Sequence, residues 1–186
     1  MLRKLFGIAL LLIPVSTFAQ VAPATRGGGL SLSAGGEYSN FRPDYGFNRL
    51  SGIGVFADAD HLVLARLGLE GEARWLYFNQ YFGEHEAHYL IGPRYRFLRY
   101  RGLSFYGKFL LGGGFITYPS KIGSGSYFAY SPGATVEYRL SHRWIARGDY
   151  EYQFWPAAPG IAFTYPQPSN GLTPSGFSVG IAYKIF

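Results

Sequence analysis

The sequence predicts an all-β protein, an eight-stranded antiparallel transmembrane up-and-down β-barrel. Three observations carry that prediction. The last ten residues alternate strictly, with Phe177, Val179, Ile181, Tyr183 and Ile185 on one face and Ser178, Gly180, Ala182 and Lys184 on the other. Successive side chains of a strand point to opposite faces, so this strand has one apolar face and one small or polar face. Aromatic residues reach 19% of the chain, the level expected where rings line both borders of a membrane-spanning sheet. No window after residue 19 reaches the roughly 18 apolar residues of a membrane helix, so any crossing must be made by strands.

Seven earlier segments repeat the alternation. Leu30–Ser39 sets Leu32, Ala34, Gly36 and Tyr38 against Glu37, and Ser51–Asp60 sets Ile53, Val55, Ala57 and Ala59 against Phe56 and Asp58. Leu67–Phe78 opposes Leu69, Ala73, Trp75 and Tyr77 to Glu70, Glu72 and Arg74. His88–Phe97 opposes Tyr89, Ile91, Pro93, Tyr95 and Phe97 to Arg94 and Arg96. Leu103–Phe115 opposes Phe105, Phe109 and Leu111 to Tyr106 and Lys108. Tyr127–Leu140 opposes Phe128, Tyr130, Ala134, Val136 and Tyr138 to Thr135, Glu137 and Arg139. Trp144–Trp155 opposes Ala146, Tyr150, Tyr152 and Phe154 to Arg147, Asp149, Glu151 and Gln153. With Phe177–Phe186 the count is eight, an even number of strands of about ten residues. Closure is required, because an open edge would leave backbone amides unpaired in hydrocarbon. Pro93 and Pro132 each lack a ladder donor, which predicts a bulge or a strand end at both.

The connections are expected to alternate in length. Short links fall at His61–Arg66, Leu98–Gly102 and Ser141–Arg143, and long ones at Asn40–Leu50, Asn79–Ala87, Ile116–Ser126 and Pro156–Pro174. Short periplasmic turns and long outward loops are the pattern of membrane barrels, and the longest loop is the expected recognition surface.

Arg3 and Lys4, the apolar run Leu5–Val15 and the small residues Ser16-Thr17-Phe18-Ala19 form a secretory signal cleaved after Ala19. Residues 20–186 then form one barrel domain. Removing residues 1–19 takes two of the seventeen Lys and Arg and none of the eleven acids, which leaves +4. The remaining bases are spread along strands among acids, which excludes a nucleic-acid partner. The chain has no cysteine, so packing and hydrogen bonds alone must hold it.

The polar faces collect acids at Glu37, Asp58, Glu70, Glu72, Glu137, Asp149 and Glu151, and bases at Arg74, Arg94, Arg96, Lys108, Arg139 and Arg147. Seven against six is close to balance. An eight-stranded barrel is only wide enough for side chains, so these groups must touch, and buried charges persist only when paired. The first reading is a packed ionic core that fills the lumen; the second is a narrow gated ion path through it. Catalysis by paired carboxylates needs a cleft that such a lumen does not offer.

Three other features receive structural readings. Glu84-His85-Glu86-Ala87-His88 lacks further metal ligands and reads as a solvated loop. Gly112-Gly113-Gly114 is followed by no helix, so it eases curvature and cradles no phosphate. Trp75, Tyr77, Trp144 and Trp155 read as girdle residues at the membrane borders.

Tyr89–Phe97, Asp149–Trp155 and the ending Gly180–Phe186 resemble the outer-membrane-protein β-barrel domain family, small porin-like barrels whose best-known member is the barrel of outer membrane protein A. The resemblance covers the whole mature chain. It implies an outer-membrane location, a structural, surface-contact or narrow-channel role without enzyme activity, and neither cofactor nor metal. The implied partners are outer-membrane lipid, lipopolysaccharide and the barrel-assembly machinery, which reads the C-terminal strand; the chain is expected to be a monomer. One departure is visible, since Ile185 holds the apolar phase and Phe186 lies one residue beyond it. Two alternatives are an outer-membrane lipid-modifying enzyme on the same barrel and a secreted ligand-binding barrel of the lipocalin kind. The first lacks a compact His-x-Ser arrangement with a nearby acid, and the second needs an apolar interior.

Overall fold

The computed structural model describes residues 29–45, 48–61, 66–80, 82–159 and 171–186; the expected signal peptide lies outside the described residues. Eight strands form: β1 (Ser31–Arg42), β2 (Leu50–Asp60), β3 (Leu67–Phe78), β4 (His85–Tyr100), β5 (Leu103–Thr117), β6 (Ser124–Arg139), β7 (Trp144–Tyr152) and β8 (Ser175–Lys184). Each pairs antiparallel with its neighbours in sequence order, and β8 returns to β1 to close the barrel. The closing seam runs from Ser33 opposite Lys184 to Arg42 opposite Ser175. Backbone bonds continue past it, with Ile185 N–H donating to Leu32 O (2.8 Å) and Leu32 N–H to Phe186 O (3.1 Å). The out-of-phase Phe186 is therefore stitched to the sheet, and it and Ile185 are both exposed.

The alternation sorts side chains as expected. Ile53, Ile91, Phe128 and Val179 are each more than half exposed on the outer face, while Asp58, Arg94, Glu137 and Ser178 of the same strands point inward and are buried. Such a contiguous apolar exterior over a polar interior inverts the arrangement of a soluble barrel that carries an apolar ligand.

The two prolines do not mark bulges. Register runs unbroken through both, from Ile91 opposite Leu111 to Arg94 opposite Lys108, and through Phe109 opposite Pro132. What each proline removes is one local stretch of ladder, β4 to β5 beside Pro93 and β6 to β7 beside Pro132. The chain bulges instead between Arg96 and Leu98, where β4 gains a residue against β5.

Strands β4, β5 and β6 extend beyond their expected bounds, so the links 79–84 and 118–123 are shorter than the alternation predicts. One end of the barrel carries the turns 101–102 and 140–143 together with the start of β1 and the end of β8; we term it the turn end. The opposite, loop end carries the connections 43–49 and 153–174, of which 160–170 lie outside the described residues.

Candidate functional site

The site is the lumen. β3 places Arg74 and β4 places Arg94 inward, while β7 places Arg147 and β5 places Lys108. Arg74 donates to Glu37 (2.9 Å), Glu72 (3.3 Å) and Glu151 (3.2 Å). Arg94 meets Glu137 (2.6 Å), Asp58 (2.8 Å), Asp60 (3.2 Å) and Glu70 (3.3 Å). Arg147 bridges Asp58 (3.3 Å), Glu70 and Asp149. Each guanidinium also lies over a ring: Arg74 over Phe41 at 4.5 Å, Arg94 over Tyr106 at 3.7 Å and Arg147 over Phe56 at 4.1 Å. Edge to carboxylates and face to a ring is the geometry in which a buried guanidinium recovers most of its lost hydration.

Lys108 occupies the centre. Its ammonium lies 2.9 Å from Glu70, 3.1 Å from Glu72, 2.8 Å from Asp149 and 2.6 Å from Glu151. Glu72, Asp149 and Glu151 converge as closely as metal ligands do, and Lys108 itself supplies the cation between them. Thr135 Oγ1 and Ser131 Oγ complete the acceptors of Asp149 and Glu151.

Eleven of the thirteen charged residues expected in the network are buried there. Arg96 and Arg139 are placed differently, Arg96 half-buried and Arg139 exposed at the turn-end mouth. Both hold the lumen phase, but so close to the strand ends that their long side chains reach water. The buried set is therefore acid-rich, seven carboxylates against Arg74, Arg94, Lys108 and Arg147.

Above Glu151 the lumen changes character. Gln153 donates to Glu151 (3.1 Å) and to His88 Nδ1 (3.1 Å), leaving His88 Nε2 to donate to Glu86 (3.3 Å). Glu84, Glu86 and His88 are buried, which corrects the reading of that segment as a solvated loop. Glu84 lies just outside β4 with neither carboxylate oxygen hydrogen-bonded, and burial pushes its carboxyl up to about 6. The signal was present in the sequence, because Glu86 and His88 share the inward phase of Arg94.

Trp155 corrects a second expectation. It is no girdle residue but is fully buried in the loop-end lumen, its indole N–H donating to Gln153 (3.0 Å) and its ring edge-on to His88. Leu90, Leu110, Ile116, Tyr118, Ala129 and Leu172 pack around it as an apolar cap. Gly114 makes room, since a Cβ there would fall 2.2 Å from the indole. Tyr77 and Trp144 do remain exposed on the outer face, and the half-buried Trp75 donates to Tyr89 OH at 2.8 Å.

No family model matches this chain, and no curated protein is significantly similar to it. Solved structures are similar to it over nearly their whole length. Neisserial surface protein A covers 85% of this chain and 98% of its own, at 10% identity and a TM-score of 0.55. The fold is that of the small outer-membrane barrels. The N-terminal barrel domain of Pseudomonas aeruginosa OprF (82% and 97% covered, 14% identity, TM-score 0.51) and P. aeruginosa OprG (85% and 96%, 11%, 0.51) agree. At these identities the likeness concerns the fold alone.

Proposed function

We propose that this chain is a non-enzymatic, monomeric outer-membrane barrel serving envelope structure or surface contact, with a filled lumen in place of an open pore. The observation that carries this is the interlocked core, in which Lys108 contacts four strand-borne carboxylates at once and the apolar cap around Trp155 closes the loop end. Short turns face the periplasm in such barrels, so the turn end faces inward and the 43–49 and 153–174 connections face outward, among lipopolysaccharide. Residues 1–19 direct export, and β8 with its bonded Ile185 and Phe186 is the strand offered to the assembly machinery.

A second reading, a gated ion path, is favoured by one observation. Polar contacts run unbroken from Glu86 through His88, Gln153, Glu151, Lys108, Glu70 and Arg94 to Asp60. The cap closes that line in this state. Cell fractionation with heat-modifiable gel migration tests the main reading: the full chain should lose its signal and reach the outer membrane as a compact, heat-sensitive species. Recovery in the soluble periplasmic fraction would overturn it.

A further inference from the structure

The core consumes its bases, and a second group of them lines the turn-end mouth. Arg96, Arg99, Arg139, His142, Lys184 and Ser104 line a cavity of about 70 Å3 there. Its floor holds Asp60 and Glu137, both already engaged by Arg94, with Tyr106 OH donating to Asp60 at 3.2 Å. Among the described residues, Arg99, Arg139 and Lys184 have no carboxylate within ion-pair distance.

The bulge in β4 is what completes this cavity. Phe97 and Leu98 both face outward, 55% and 49% exposed, so the next residue returns to the lumen side. Arg99 thereby pairs with Ser104 and joins the cavity wall; unbulged alternation would have sent it to the lipid face. The two-residue turn Arg101-Gly102, with φ of 46° and 86°, fixes that hairpin.

We propose that this mouth is a binding site for a phosphoryl anion. Guanidinium forks match phosphate oxygens in pairs, an ammonium and a hydroxyl add donors, and the surplus of positive charge attracts the anion. The phosphoryl group comes either from a soluble phosphorylated compound or from a phospholipid headgroup at the barrel rim. The site stands on this geometry, and only the compartment it faces rests on the orientation proposed above.

The test is a titration of inorganic phosphate into the folded mature chain in phosphate-free maltoside micelles, followed by the amide resonances of Gly102 and Ser104. Heat-modifiable migration of the same sample reports separately on the barrel reading. Saturable shifts are expected, weakened about tenfold or more by R99Q and by R139Q, neither of which breaks an ion pair of the fold. The loop-end variant K121Q should bind as the parent does. Phosphatidylglycerol added to the micelles should lower the apparent phosphate affinity severalfold if a headgroup is the occupant, and leave it unchanged if the occupant is soluble. Either result supports the site. Absence of saturable shifts, or phosphate affinity in R99Q and R139Q equal to the parent's, would overturn it.

Discussion

At the residue scale, the buried arginines and Lys108 each hold several carboxylates, so no pair stands alone. Removing one cation strands its acids in a buried lumen, where an uncompensated charge costs far more than the pair contributes. Arg74→Ala should destabilise the barrel by about 3–5 kcal/mol, read from urea titration in lipid vesicles, because Glu37, Glu72 and Glu151 lose their shared donor. Glu84 gives a pH-dependent counterpart outside the strands. Burial raises its folded carboxyl to about 6 from an ordinary 4.5, so folding favours the neutral form. Its contribution is full below the unfolded value and is lost as pH rises through the folded one. Glu84→Gln should match the parent in thermal unfolding near pH 4.5 and exceed it at pH 7; a constant difference across that range would contradict the assignment.

At the element scale, the outer face is set by strand phase. Ile91 is 57% exposed among apolar neighbours midway along β4, and Ile122 is 72% exposed in the β5–β6 connection. Ile91→Arg should cost about 2–4 kcal/mol in lipid, whereas Ile122→Arg should change stability by less than about 0.5 kcal/mol. Equal effects in the same vesicle titration would mean the phase is misassigned. Phase was also what the sequence made legible. Period-two alternation located all eight strands, β3 to its terminal residues, and assigned the inward charges, because hydrocarbon outside and a narrow lumen inside leave each position one tolerable face. What phase does not encode is where a strand bends or stops. The Phe97 bulge arises from pairing with β5, and it redirects Arg99 without any local sign. Trp155 keeps the inward phase of Glu151 and Gln153, yet its burial depends on the connection beyond β7 folding back, with Leu172 bonded to its backbone. The extension of β4 back to His85 carries Glu86 into the lumen, on the phase it shares with His88 and Arg94.

At the scale of the whole molecule, charge is layered along the barrel axis. A basic turn-end mouth is followed by an acid-rich ionic core and then by an apolar cap. A lumen built from eight strands has room only for its own side chains, and here they are bonded to one another from wall to wall. The central claim is therefore that this barrel is plugged by its own core. Planar-bilayer recording of the purified, folded mature chain tests it most directly. The account predicts at most small, intermittent current with no steady open level. A large, steady conductance from the unmodified monomer would contradict it.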